Sequence, residues 1–163
     1  NHESPLRGET FVTKKITQYV AKEKLKKNNN HLLFLGNLDA KRDWGHAKDY
    51  VKAMWLIMQN KVPDDFVVAT GKSTSVRKFV EISFNLIGVK IKWQGKGLNE
   101  VGINKETGKK LVKIDKRLFR PNEVHFLKGN SQKARKVLKW KPTIKLDQLI
   151  KEMINFDLAQ FNK

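Results

Sequence analysis

The 163-residue chain carries 34 Lys plus Arg against 16 Asp plus Glu, a formal charge of +18, with 39% hydrophobic residues, 9% aromatic residues and no cysteine. This composition suits one globular domain, or part of one, and argues against a wholly disordered chain. It excludes a disulfide framework, a thiolate metal site and a cysteine nucleophile. No run approaches the roughly 20 apolar residues of a membrane span, and the polar opening NHESPLRGET lacks the charged-then-apolar pattern of a signal peptide, so cytoplasm is the expected compartment. The charge comes from 28 Lys and only 6 Arg spread along the chain, which reads as solvated surface; base-reading faces lean more on Arg.

In chain order, Glu9 to about Lys27 places Val12, Ile16, Tyr19 or Val20, and Leu25 at near-helical spacing, predicting an amphipathic helix closed by Asn28, Asn29 and Asn30. His31 to Leu35 is a short apolar run ending at Gly36 and Asn37, a buried strand entering a turn, and a second extended piece surrounds Arg42 to Trp44. From His46 to Gln59, the residues Ala47, Tyr50, Val51, Met54, Trp55 and Met58 predict a helix with one apolar face. Pro63, Asp64 and Asp65 separate it from a β-like run, Phe66 to Ala69. Ser73 or Ser75 then caps a helix through Val76, Phe79, Val80, Phe84 and Ile87, stopped by Gly88. Val89 to Trp93 alternates as a half-buried strand does. Gly95 to Gly108 reads as a flexible hairpin-like excursion, followed by a strand at Leu111 to Ile114, a helix near Ser131 to Leu138, a break at Trp140 and Pro142, and a last amphipathic helix from Leu146 to about Phe161.

Alternating strands and helices argue for an α/β fold. A dinucleotide-binding fold opens with a strand, a Gly-rich turn and a helix, yet the sequence holds no GxGxxG and no GxxxxGK[ST]. With Asn as its first residue, the chain reads as a piece of a longer protein that starts just before a helix. None of the four histidines stands in HExxH or another paired-ligand spacing, and no GxSxG is present, so neither a metal site nor a serine-hydrolase elbow is expected. The pairs Asp64 with Asp65 and Glu100 with Glu106 lie in polar loops, where solvated surface is the expected role.

Three clusters combine residue types that suit anion binding. NHESPLRG lies ahead of a helix, where side chains and free N–H groups converge on an anion, or simply cap the helix. LGNLDAKRDWGHAKD sets a Gly-Asn turn before Arg42 and Asp43, then His46 and Asp49 at a helix start; turn, ion pair and cap would also account for it. FRPNEV flanks Pro121 with Arg120 and Glu123, a geometry for holding a diphosphate and a sugar hydroxyl, or for a salt bridge across a turn.

In this order these segments, with DDFVVATG, SVRKFVE, WQGKGLNEVG and LKWKPTI, resemble the C-terminal part of the GDP-mannose 4,6-dehydratase family, within the extended short-chain dehydrogenase/reductases. The resemblance covers nearly the whole chain. It implies an α/β, Rossmann-type fold of which residues 1–163 form the substrate-binding portion, with the Gly-rich cofactor-binding strands and the catalytic Tyr, Lys, Thr and Glu lying upstream. It also implies NADP as cofactor, GDP-mannose as substrate, GDP-4-keto-6-deoxymannose as product, a place in GDP-deoxysugar (fucose or rhamnose) synthesis, a homo-oligomeric parent (dimer or tetramer), and no membrane or nucleic-acid partner. By the same resemblance His2 and Arg7 contact NADP. Asn1 holds the sugar diphosphate, Val12 and Lys15 line the nucleotide site, and Leu35, Gly36 and Asn37 face the guanosine, with Gly36 permitting close approach. Arg42, Arg120 and Glu123 clamp the diphosphate and ribose. Leu6 replaces an Arg common in the family. A sister nucleotide-sugar epimerase or reductase shares this scaffold, and a basic nucleic-acid-binding module is the rival from another class. A sheet without its first strands would leave an edge and an apolar face exposed.

Overall fold

The computed structural model describes residues 1–27, 30–119, 124 and 126–162. Strand β1 (His2–Glu3) leads into helix α1 (Val12–Lys24), and the chain continues through β2 (Leu33–Leu35), β3 (Lys41–Arg42), β4 (Gly45–His46) and α2 (Ala47–Met58). Next come β5 (Thr74–Ser75), α3 (Val76–Asn85), β6 (Ile91–Gln94), β7 (Val101–Asn104) and β8 (Lys110–Ile114). Helices α4 (Gln132–Val137) and α5 (Leu146–Phe161) complete the chain. Helix α1 stops at Lys24, where Lys26 turns to φ 55° and the amides of Lys26 and Lys27 bond back to the carbonyls of Glu23 and Lys22, before the asparagine run is reached. Helix α3 is capped by Ser75, whose hydroxyl accepts from the Lys78 amide at 3.1 Å, because that oxygen satisfies one of the donors a helix start leaves open.

The main sheet has the order β2-β8-β7-β6, with β2 parallel to β8 and the other pairs antiparallel. Two smaller pairs stand apart: β1 parallel to β4, and β3 antiparallel to β5. The alternating apolar positions of β2 and β8 (Leu33, Leu35, Leu111, Val112, Ile114) bury against Ile16, Val20, Phe79, Phe84, Ile150 and Ile154 from α1, α3 and α5. A separate small cluster joins Ala53 of α2 to Ala134, Leu138 and Trp140. The seam between α1 and α5 also buries a charge pair: the Lys14 ammonium meets Asp157 at 2.5 Å and donates to the Pro5 carbonyl at 2.8 Å. A buried ammonium of this kind is tolerated only because it is paired and hydrogen-bonded.

Three expectations change. The excursion from Gly95 to Gly108 is a paired hairpin arm, since β7 hydrogen-bonds on both sides, to β6 and β8. Phe66–Ala69 joins no sheet among the described residues; Gly129 packs against Ala69, and Thr70, just beyond the run, donates its amide to Asp43. Helix α2 forms where expected, but Val51, Met54, Trp55 and Met58, the face that predicts it, lie outward, Met58 at 80% exposure. Its buried residues are Asp49, Tyr50 and Ala53.

Candidate functional site

The entrance of α1, the turn after β2, strand β3 and the start of α3 surround one cleft of about 340 Å³. It gathers Asn1, Arg7, Val12, Lys15, Leu35, Gly36, Asn37 and Arg42, eight of the eleven residues singled out in the sequence. His2 does not line it. Its ring packs 5.4 Å from that of Tyr50, on the side of β1 that faces α2. Arg120 and Glu123 lie outside the described residues. The apolar wall is Phe34, Trp44, Val76 and Leu118, and Trp44 is fixed edge-on against Phe79 at 5.0 Å.

The turn after β2 explains its own sequence. A Cβ on Gly36 would stand 2.2 Å from the Leu118 carbonyl oxygen, so the close approach that demands glycine is made by the chain's own backbone. Asn37 closes the turn by accepting the Asp39 amide at 2.9 Å through its side-chain oxygen, an Asx turn. Arg77 then anchors the same loop: its guanidinium meets Asp39 at 2.9 Å and also grips Glu100 from the β6–β7 arm.

Cations and aromatic surface dominate the cleft. Arg7 lies 3.4 Å from the centre of the Phe11 ring and 3.2 Å from the Glu3 carboxylate. Arg42 donates to the carbonyls of Lys41 and Val124. Lys15 adds a third positive charge. Glu3 is the exception, a buried acid in the wall whose burial pushes its pKa up, against the opposing pull of the Thr13 hydroxyl at 2.7 Å and of Arg7. Behind it, burial together with Asp43, Asp49 and Glu3 pushes the Tyr50 hydroxyl up to about 12. A pocket with two guanidinium groups, an ammonium, aromatic faces and the carbonyls of a Gly-Asn turn suits a planar base carrying a diphosphate. Among the described residues no three His, Cys, Asp or Glu side chains gather to hold a metal ion, and no helix is long and apolar enough to cross a membrane.

Sequence reasoning reads Asp43 only as an ion-pair partner of Arg42 and gives Glu3 no role of its own beyond its cluster. Asp43 is 4% exposed and its carboxylate collects amides from distant loops. Its position after Arg42 was the only signal, and it pointed to an ion pair.

The family model for GDP-mannose 4,6 dehydratase matches residues 1–153. The chain belongs to this family. It is 56% identical over 158 residues to the human GDP-mannose 4,6 dehydratase, covering 97% of this chain and 42% of that protein. The relative from Dictyostelium discoideum is 52% identical, with 97% and 44% covered. The chain thus spans less than half the length of these relatives. Among solved structures, RMD from Pseudomonas aeruginosa complexed with NADPH superposes with a TM-score of 0.78 at 18% identity, over 98% of this chain and 46% of that one. That likeness shows that the chain shares the α/β fold of the part of that structure it covers.

Proposed function

We propose that this chain is the sugar-nucleotide-binding part of a GDP-mannose 4,6-dehydratase, an NADP-dependent hydro-lyase that converts GDP-mannose to GDP-4-keto-6-deoxymannose and water. The observation that carries the reading is the cleft itself: in a chain 56% identical to the human enzyme, one pocket brings together Asn1, Arg7, Lys15, Gly36, Asn37 and Arg42 from segments far apart in sequence. The turn residues Leu35, Gly36 and Asn37 face the guanine, Val12 and Phe34 supply apolar contact, and Arg42 with Lys15 holds the diphosphate. Arg120 and Glu123 complete that clamp in this reading.

The residues present fit one end of the cofactor. Arg7 is an always-charged fork at the cleft wall, a donor suited to phosphate; His2, exposed but outside the cleft against Tyr50, is the second cofactor contact in this reading. When bound, NADP supplies the acceptor and later the donor of hydride. The chain's own contribution is binding and orientation, and the catalytic Tyr, Lys, Thr and Glu belong to the part of the family's chain that these residues do not include, so the chain by itself is expected to bind without turning over. Isothermal titration with GDP-mannose tests this. We expect saturable binding that Arg42→Ala weakens at least tenfold (about 1.4 kcal/mol) with little change in Tm. Binding to DNA with a steep salt slope, in place of GDP-mannose, would overturn the assignment.

A further inference from the structure

Asp43 stands between β3 and β4 with its carboxylate turned inward. One oxygen accepts the Thr70 amide at 3.0 Å and the Thr70 hydroxyl. The other accepts the Gly71 amide at 2.9 Å and the Gly129 amide at 3.2 Å. Four donors from two loops, 27 and 86 residues away in sequence, converge on a single buried side chain. Charge-assisted bonds of this kind are stronger than neutral ones, and a buried carboxylate is tolerable only with its acceptor sites filled.

The loops it holds bear on the cleft. The segment ending at Gly129 lies along β3: the Leu127 amide donates to the Lys41 carbonyl at 3.0 Å, Phe126 bridges Lys41, and the Arg42 guanidinium donates to the Val124 carbonyl. Gly129 presses onto the 66–70 run so closely that a Cβ would stand 2.2 Å from that of Ala69. On the far side, Arg135 clasps the same turn by donating to the Thr70 carbonyl at 2.9 Å. Arg42 is thus held in a layered arrangement in which Asp43, its immediate neighbour, ties the layers together.

We propose that Asp43 is a positioning residue for the sugar-nucleotide site: it acts through Arg42 and through Val124, Phe126, Leu127 and Gly129, fixing the guanidinium before the ligand arrives. This rests on the reading of the cleft as a GDP-sugar site. Preorganising a bidentate donor lowers the ordering cost of binding, so the loss of Asp43 should appear in affinity and not only in stability.

The experiment is calorimetric titration of the chain with GDP, paired with amide hydrogen exchange, on wild type, Asp43→Asn, Thr70→Val, Thr70→Ser and Ile154→Ala. The last is a core change away from the cleft that lowers Tm without touching these loops. Asp43→Asn sets an NH2 against amide donors. We expect it to raise the Kd for GDP about tenfold and to speed exchange at Gly71 and Gly129 by at least tenfold relative to Ile154→Ala. Thr70→Val should raise Kd several-fold, and Thr70→Ser, which restores the hydroxyl, should return it to the wild-type value. Wild-type Kd in Asp43→Asn, or a Kd increase in Ile154→Ala equal to that in Asp43→Asn, overturns the positioning role. Wild-type protein that takes up no GDP overturns the reading of the cleft, and the inference with it, whereas GDP binding with unchanged exchange at Gly129 overturns the inference alone.

Discussion

Helices α1 and α2 are both amphipathic, and both follow a short strand at the edge of the same parallel pair, yet the chain treats their apolar faces in opposite ways. Ile16, Tyr19 and Val20 of α1 are sealed between α3, α5 and the main sheet, and the helix even buries Lys14 there. Val51, Met54, Trp55 and Met58 of α2 meet no covering element among the described residues, while Asp49, Tyr50 and Ala53 turn inward and Leu56 and Ile57 pack at the margin of a small cluster. Periodicity reports that a helix has an apolar stripe, but what covers the stripe is decided by the other elements a chain supplies. Among the described residues α1 is covered from more than one side and α2 from one.

The largest expected effect tests the sealed side. Lys14→Ala removes the partner of Asp157, whose second carboxylate oxygen already lacks a hydrogen bond. An uncompensated buried charge should cost about 3–5 kcal/mol in urea denaturation. A loss below about 1 kcal/mol would show that water reaches the α1–α5 seam and would erase the contrast with α2.

An intermediate effect sharpens the contrast through pH, because the acids at the two helix starts are shifted in opposite directions. Glu3, bonded to Thr13 at the head of α1, has its pKa raised by burial above its ordinary 4.5. Its favourable contribution is complete below 4.5 and is lost as pH rises through the folded value. Glu152 is subject to some burial, but the bonds from His46 and Lys48 at the head of α2 outweigh it and hold its pKa below 4.5. Its contribution is present above 4.5 and is lost as pH falls through the folded value. Stability measured from pH 3 to 7 should therefore lose its downward slope above 4.5 in Glu3→Gln, and lose part of its acid-side fall in Glu152→Gln. The same change of slope in both variants would contradict the assignment.

The smallest effect tests the bare side. Met58→Lys and Trp55→Ser should leave unfolding free energy within about 0.5 kcal/mol, since no buried contact is lost, while reducing self-association seen by light scattering. A cost above about 1 kcal/mol would mean that the face is covered.

What the sequence disclosed divides along the same line. The strand at Leu33–Leu35, the Ser75 cap and helices α1, α3 and α5 are written in local patterns, which is why spacing and turn residues suffice to find them. Among the described residues Phe66–Ala69 has the composition of a strand without a neighbour to pair with, and β7 is the reverse, a four-residue stretch, Val101–Asn104, too short to stand out in its Gly-rich polar surroundings and made into a strand by β6 and β8. The cleft was legible as a set because the segments carrying Asn1, Arg7, Lys15, Gly36, Asn37 and Arg42 resemble those of one family, which names these positions together; cluster chemistry alone left caps, turns and ion pairs as equal readings. The inward turn of Asp43 and the contact that makes Gly36 necessary depend on residues 27 to 86 positions away, and no local pattern encodes them.

The Lys14–Asp157 pair joins residues 143 positions apart, and this bears on how the protein is made. Synthesis adds about 5–20 residues per second, so the ammonium and the apolar stripe of α1 leave the ribosome on the order of ten seconds before the carboxylate and the helix that cover them. Throughout that interval the nascent chain carries an open face, and its completion is set by translation time rather than by the microsecond rates at which helices form. A chain stalled or cut before Asp157 would keep that face open for its whole lifetime.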